Sequence, residues 1–229
     1  MKVNPKKSKI LPIAKKENNN NIQIYMEGTQ MEVVTEYKYL GAIFTQNGKI
    51  NQEVQHRIQL ASMVHHQIRR TLIKKPEIEE KTKLQIYNTV FVPILTYGAE
   101  SWPISSMIQS KLTAAEMRFL RDIKNKTKLD KIRNTTIREQ LKQQDLLGMI
   151  EKKQLQWYGH VTRMENNRIP KQVHEARPIG NKSRGRPTQT YIQNIEQYSL
   201  KRNLTIAEIT KTAKNRKEFK KLISKNNRT

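Results

Sequence analysis

The pattern of apolar and polar positions changes near Gly48. Before it, residues 22–26 and 31–44 are rich in β-branched and aromatic side chains, with Glu27 and Gly28 between them as turn residues. These runs predict a small antiparallel hairpin. Residues 1–16 hold six lysines and no acid, so we expect a loop or frayed start there.

After Gly48, apolar residues recur every three or four positions, which places them on one face of a helix. The members of this stripe are Ile50, Val54, Ile58, Ala61, Val64, Ile68 and Leu72. We expect the opposite face of the same helix to carry Arg57, Arg69 and Arg70.

Further helical segments follow along the chain. They are expected at about 76–90, 105–123, 135–141 and 145–164, with an aromatic-bearing loop at 96–102. Pro76 is a favoured first-turn residue, whereas Pro93 should kink or end its helix.

Basic residues, glycine and proline replace the helical pattern over residues 165–187, which predicts a basic linker. Beyond it, Thr205 and Glu208 form the capping box of a helix that extends through Phe219. The chain is therefore predicted to be mainly α, with a small N-terminal β-hairpin and a helical, basic C-terminal region.

Charge indicates the class of partner. The chain has 44 Lys and Arg against 20 Asp and Glu, a net charge of +24. Cationic side chains gain free energy by releasing the counterions condensed on nucleic acid, so RNA or DNA is the first partner we expect. An anionic membrane surface ranks second as a class, and no membrane partner is predicted.

The absence of cysteine excludes disulfides, thiol nucleophiles and zinc fingers. The start of the chain lacks the apolar core of a signal peptide. The longest apolar run, residues 90–95, contains Pro93 and is far shorter than the roughly 20 residues of a spanning helix. We expect an intracellular protein, nuclear or cytoplasmic, that is not secreted.

Groups with catalytic potential are sparse. Two-metal phosphoryl transfer needs carboxylates that hold two ions about 3.5–4 Å apart. The three aspartates, Asp122, Asp130 and Asp145, are isolated among basic residues and are expected to be helix caps or solvated charges. The five histidines lack the spacing of a zinc hydrolase and are expected to be structural or on the surface. We predict no catalytic residue and no metal site.

Basic clusters at 1–16, 163–186 and 201–228, with aromatic residues nearby, suit neutralisation of a phosphate backbone and some base stacking. The candidate backbone-binding residues are Arg57, Arg69, Arg70, Arg163, Arg168, Lys171, Lys182, Arg184 and Arg186. The candidate stacking residues are Tyr97, Trp102, Trp157 and Tyr158, although Trp157 and Tyr158 at helical spacing are more often core than platform.

Five short segments resemble, in the same order, parts of non-LTR (LINE-type) retrotransposon reverse transcriptases. KVNPKKSK at 2–9 resembles the segment after the catalytic aspartate pair of the palm, and YLG at 39–41 resembles the primer-grip hairpin. TYGAESW at 96–102, LQWYGH at 155–160 with the following Arg163 and Met164, and RGRP at 184–187 are similar to the thumb and downstream region. The resemblance covers nearly the full chain.

The resemblance implies a C-terminal fragment of the endonuclease/reverse transcriptase of that family. The implied divisions are a palm remnant at 1–48, a helical thumb at 49–126, a helical connector at 127–164, a basic linker at 165–188 and basic C-terminal helices at 189–229. Lys7 and Lys9 resemble lysines near the incoming nucleotide. Tyr39, Leu40 and Gly41 resemble the hairpin that supports the primer end.

The catalytic aspartate pair and the endonuclease domain of the family have no counterpart in this sequence. The resemblance therefore implies a nucleic-acid-binding fragment that is inactive alone and needs no cofactor, whereas an intact polymerase requires Mg²⁺. Two alternatives stay open. One is a domesticated or decayed-element interaction protein without enzymatic activity, and the other is one part of a split polymerase completed by a separate palm-bearing chain.

Overall fold

The computed structural model describes residues 4, 8–13, 23–176 and 189–224. It is mainly helical with short strands near the N-terminus, as predicted. The strands are β1 (Lys9–Ile10), β2 (Tyr25–Met26), β3 (Thr29–Gln30), β4 (Glu32–Val33), β5 (Glu36–Tyr39) and β6 (Ala42–Thr45). The α-helices are α1 (Asn51–Ile68), α2 (Glu80–Ile86), α3 (Val92–Leu95), α4 (Ser106–Ile123), α5 (Asn134–Gln140), α6 (Leu146–Thr162), α7 (Ile169–Glu175), α8 (Tyr191–Leu200), α9 (Ile206–Lys214) and α10 (Arg216–Ser224).

The chain divides into two compact units, residues 1–59 and 60–229, with the border inside α1. In the first unit, β5 and β6 form an antiparallel hairpin. Leu40 and Gly41 form its turn, and both have positive φ, as a type I′ turn requires. A smaller pair, β2 and β3, encloses the predicted Glu27–Gly28 turn, and β1 pairs in parallel with β4. The sequence predicts one hairpin, but the structure has two, β2–β3 and β5–β6.

The start of α1 holds the β5–β6 hairpin through a buried ion pair. Glu53 accepts a hydrogen bond from the backbone N–H of Ile43 at 2.7 Å and pairs with Arg57, whose guanidinium also donates to the carbonyl of Gly41. The expectation that Arg57 lies on the polar face is wrong, because its side chain is buried between helix and hairpin.

Near three prolines of the second unit, the helices differ from those predicted from the sequence. α2 begins at Glu80 rather than near Pro76, and a π-helical turn at 87–91 carries the chain into α3, where Pro93 lies in the first turn. Helix α7 lies within the segment predicted to be a linker. Its Pro170 is in the first helical turn, where the missing N–H of proline is tolerated.

Asp122 of α4 is neither a cap nor a solvated charge, contrary to expectation. It is buried and accepts hydrogen bonds from Arg69 Nε at 2.6 Å and Nη2 at 3.0 Å. His65 Nε2 lies 3.1 Å and Lys74 Nζ 3.6 Å from its carboxylate. Burial opposes ionisation, but the hydrogen bonds from His65 and Arg69 outweigh it and lower the pKa of Asp122. These side chains join α1 and the turn after it to α4.

Helix α6 organises the rest of the second unit. The amide of the fully buried Gln154 donates to the carbonyls of Ala99 and Trp102, at 2.8 Å each, and accepts from the hydroxyl of Tyr198 at 3.0 Å. One side chain therefore fixes the 96–102 loop and α8 against α6. Since a buried amide without partners costs about 1–3 kcal/mol, these hydrogen bonds constrain where both elements lie.

Helices α9 and α10 replace the single helix predicted over 205–219. The Thr205–Glu208 capping box opens α9 as expected, and the chain breaks at Asn215, whose side chain accepts from the N–H groups of Lys217 and Glu218. The apolar faces of the two helices join α6 and α8 in one cluster. Its buried members are Leu155, Tyr158, Ile195, Tyr198, Ile209, Ala213, Phe219 and Ile223.

Gly159 is the point at which α10 approaches α6 most tightly. A Cβ built on Gly159 would lie 2.6 Å from Cδ1 of the Phe219 ring and 3.0 Å from Nη1 of Arg163. Any larger residue must push the ring away, so the bare backbone of Gly159 sets the position of α10.

We expect Asp122→Asn to reduce stability by about 1.5–3 kcal/mol near neutral pH, the range for hydrogen bonds to charged groups. The pKa of Asp122 is lowered in the folded state, so its contribution is present above the unfolded value of about 3.9 and is lost as pH falls below it. Urea unfolding of both proteins between neutral and acid pH should show the gap closing in acid. Exposed Glu77→Gln serves as the control, and a gap independent of pH would contradict the prediction.

We expect Gly159→Ala to destabilise the protein by about 1–3 kcal/mol, the usual effect of overpacking, although alanine is the better helix former. Gly148→Ala is the matched control on the same helix, because its Cβ would meet only the flexible Gln144 side chain at 3.5 Å. Adding Phe219→Leu to Gly159→Ala should recover part of the loss in thermal melts. Equal melting temperatures for the two alanine variants would show that the ring moves freely.

Candidate nucleic-acid interface

The three residues that resemble the primer-grip hairpin lie together at the turn between β5 and β6. Tyr39, Leu40 and Gly41 form the end of β5 and the turn into β6, where the Leu40 side chain is 75% exposed. Lys9 lies in β1 and its ammonium is 3.0 Å from the Glu32 carboxylate. Lys7 is outside the described residues.

The arginines expected on the first helix have three different surroundings. Arg57 is buried against the hairpin, as described above. Arg69 lies in the π-helical turn after α1, and its guanidinium binds Asp122 while the side chain stays 39% exposed. Arg70 is exposed. The three therefore do not form one cationic face.

The basic segment around α7 is only partly available to a ligand. The guanidinium of Arg163 donates to the carbonyl of Ala213 at 2.6 Å, and burial together with the neighbouring Arg216 lowers its pKa. Lys171 is buried, donates to the carbonyl of Thr162 at 3.0 Å and pairs with Glu175 at 2.9 Å. Arg168 is exposed before α7. Lys182, Arg184 and Arg186 lie outside the described residues.

The four candidate stacking residues divide into core and surface. Trp102 and Tyr158 are 3% and 4% exposed, so protein atoms already cover both ring faces. Neither can serve as a base platform in this fold. The stacking role expected for Trp102 is thus wrong, and for Tyr158 the core alternative is the correct one. Tyr97 is 47% exposed, and Trp157 is half-buried on α6 with the ring of His160 at 5.6 Å.

A compact cationic surface that the sequence reading did not resolve lies on α9 and α10. Its exposed members are Lys211, Lys214, Arg216, Lys217, Lys220 and Lys221, here called the C-terminal basic surface. None of them is ion-paired with a carboxylate of the described residues. The excess of basic residues over 201–228 is visible in the sequence, but which cations face solvent depends on how the two helices pack.

Contacts with α6 hold this surface in place. Arg163 binds the last turn of α9 through the Ala213 carbonyl, and the Tyr158 hydroxyl lies 2.6 Å from Thr210 Oγ1. Two of the candidate nucleic-acid-binding residues, Arg163 and Tyr158, thus contact α9 and help to hold the C-terminal basic surface in position. Glu208, an acid on α9, is engaged by the Thr205 N–H at 2.7 Å, and this hydrogen bond lowers its pKa.

Carboxylates do not converge on a metal site in the part of the chain that the structure describes. Asp122 binds Arg69, Asp145 lies 2.8 Å from Arg138, and Asp130 accepts from the Thr127 N–H at 2.7 Å. Each aspartate is thus engaged on a different element, and the set does not fit the clamp that two divalent ions need. Among the same residues, no helix has the length and apolar character to cross a membrane.

Comparison with known proteins gives one informative match. The chain is 24% identical over 206 residues to an uncharacterized transposon-derived protein of Caenorhabditis elegans, a match that covers 86% of this chain and 73% of that protein. No protein-family model matches the chain, and no solved structure matches it. The similarity extends over most of both chains and supports the origin of this protein in a transposable element.

Proposed function

We propose that the chain binds RNA or DNA through phosphate contacts made by the C-terminal basic surface. The observation that carries this proposal is a group of six exposed cations within residues 211–221, against the single acid Glu218 in the same stretch. Such a group neutralises several neighbouring phosphates and releases their counterions. Phosphate contacts position a nucleic acid without reading its sequence, so the binding is largely sequence-independent.

The packing beneath the cations strengthens this proposal. α9 and α10 bury Ile209, Ala213, Phe219 and Ile223 in the cluster with α6, so the two helices are ordered before a ligand arrives. Their backbone therefore loses little conformational entropy on binding, and more of the electrostatic free energy remains as affinity than it would for a disordered segment.

We further propose that the chain derives from the C-terminal part of a non-LTR retrotransposon reverse transcriptase. The order of the five similar segments favours this origin, and the transposon-derived relative supports the broader one in a transposable element. The proposal gives the β5–β6 hairpin a role beside the primer end and the helices after it a role along a template–primer duplex. Nucleus or cytoplasm is the compartment that suits it.

A second candidate, one part of a split polymerase, is favoured by the outer face of the hairpin. Tyr37 and Phe44 are cross-strand partners, and together with Tyr39 they leave an aromatic face exposed. Residues 23–59, which include this face, carry the bases Lys38, Lys49 and Arg57 against the acids Glu27, Glu32, Glu36 and Glu53. A protein surface therefore suits the face better than a phosphate backbone does. A separate chain that carries the palm aspartates is the partner this candidate requires.

We expect affinity for an oligonucleotide to fall by about 10³–10⁵ between about 50 and 200 mM salt if six to ten phosphates are contacted. Replacing Lys217, Lys220 and Lys221 with Gln should lower the slope of log K against log salt by about 2–3, at about 0.7–0.9 per lost phosphate contact. Fluorescence anisotropy of a labelled oligonucleotide measures both slopes.

The control is a variant with the same loss of charge elsewhere, Lys75→Gln, Lys81→Gln and Lys142→Gln, all at exposed positions. Its slope should stay near that of the wild type. Equal slopes for the two triple variants would mean that binding follows net charge rather than this surface, and salt-independent or absent binding would refute the proposal.

We expect the purified chain to incorporate no nucleotide in a primer-extension assay with Mg²⁺, because the acidic side chains that the structure describes do not converge on a site for the metal ions. Incorporation above a heat-killed control would overturn this expectation. Incorporation only after a palm-bearing polypeptide is added would favour the split polymerase.

A further inference from the structure

The solvent-facing strip of α6 combines an aromatic pair with positive charge. Trp157 and His160 are one turn apart, with ring centroids at 5.6 Å and an interplanar angle of 44°. Lys152, Gln156 and His160 are exposed on the same strip, and Trp157 is half-buried at its edge. Glu151 is the acid of α6, and it is buried against Lys201 and Arg202. The strip therefore presents the two rings and the Lys152 ammonium, and the acid of α6 itself is not exposed on it.

The two tryptophans of the chain have contrasting surroundings. The Trp102 ring is enclosed in the core, while Trp157 is half-buried and does not belong to the cluster that α6 forms with α8, α9 and α10. The core packing described above therefore accounts for Trp102 but gives no role to the outward side of Trp157.

Helix geometry places this pair on a strip of α6 that starts beside the contact with α9 and α10 and runs around the helix away from it. Gly159 and Arg163 mark the side of α6 that contacts α9 and α10. At 3.6 residues per turn, His160 lies about 100° around the helix from Gly159, and Trp157 about 60° further in the same direction. The rings therefore lie about 100–160° around α6 from its contact with α10, so a strand that reaches them from the cations of α10 follows the exposed strip around the helix.

We propose that Trp157, with His160 beside it, is a stacking platform for an unpaired base of single-stranded RNA or DNA. This inference rests on the proposed function, because the C-terminal basic surface would hold the phosphates of the same strand. Aromatic rings accept any base on their π-face, so the platform adds preference for single strands without adding sequence preference. A duplex, whose bases are already stacked, would use the phosphate contacts alone.

Tryptophan emission tests the stacking directly, with anisotropy as the parallel measure of binding. The ligands are a labelled thymidine single strand, an abasic strand with the same number of phosphates and a duplex. We expect the single strand to quench part of the wild-type emission, and the abasic strand and the duplex to bind without quenching. In Trp157→Phe the single strand should bind without quenching, because the remaining Trp102 is enclosed.

Affinity separates stacking from a structural role of the ring. Trp157→Ala should weaken single-strand binding by about 5- to 150-fold, the equivalent of stacking one base, and leave affinity for the abasic strand unchanged. Trp157→Phe keeps a ring and should stay close to wild type. Circular dichroism and a thermal melt show separately whether the alanine variant folds, because an unfolded chain of this charge would also bind the phosphates of the abasic strand.

Failure of this inference differs from failure of the proposed function. If the single strand binds without quenching, or if Trp157→Ala weakens single-strand and abasic binding equally, the platform is refuted while phosphate binding stands. If none of the three ligands binds, the proposed function is refuted and the platform with it.

Discussion

The rest of this structure depends on ion pairs between buried carboxylates and arginines. Glu53, Glu116, Asp122 and Glu151 each bind at least one arginine within the fold. A buried pair adds little net stability compared with apolar packing, but removing one partner leaves a charge uncompensated and is strongly destabilising. Because the chain has few acids, each one held inside is unavailable to neutralise cations outside. The same pairs that fix helix positions thus leave the solvent-facing side of α9 and α10 strongly positive.

Helix α6 connects this internal order to the proposed binding surfaces. One part of its circumference packs against the 96–102 loop through Gln154, and another receives α10 at Gly159. What stays exposed between these contacts is a narrow strip that ends near Trp157. The two rings belong to α6, and the C-terminal basic surface is attached to the same helix through Arg163 and Tyr158.

The sequence predicts the helices better than it predicts the roles of individual side chains. Periodicity indicates α4 and α6 correctly, since long amphipathic runs have a strong signal. The pattern places Arg57 on the polar face, because periodicity does not reveal that Glu53 is a partner with which an arginine can be buried. The pattern does not predict α7, because Pro170 has the same appearance in a linker and in a first helical turn. Most of the candidate binding site was equally hidden, since the exposed cations are defined by the packing of two short helices.

The turn at Leu40 has a consequence for the energetics of the hairpin. A type I′ turn favours Asn or Gly at its first central position, and a leucine there is in a left-handed conformation that costs roughly 1–2 kcal/mol. Asparagine at this position would relieve that conformational energy and tighten the β5–β6 pairing. The β5–β6 turn is thus less stable with Leu40 than it would be with asparagine. Its exposed leucine side chain lowers the stability of the strand pairing.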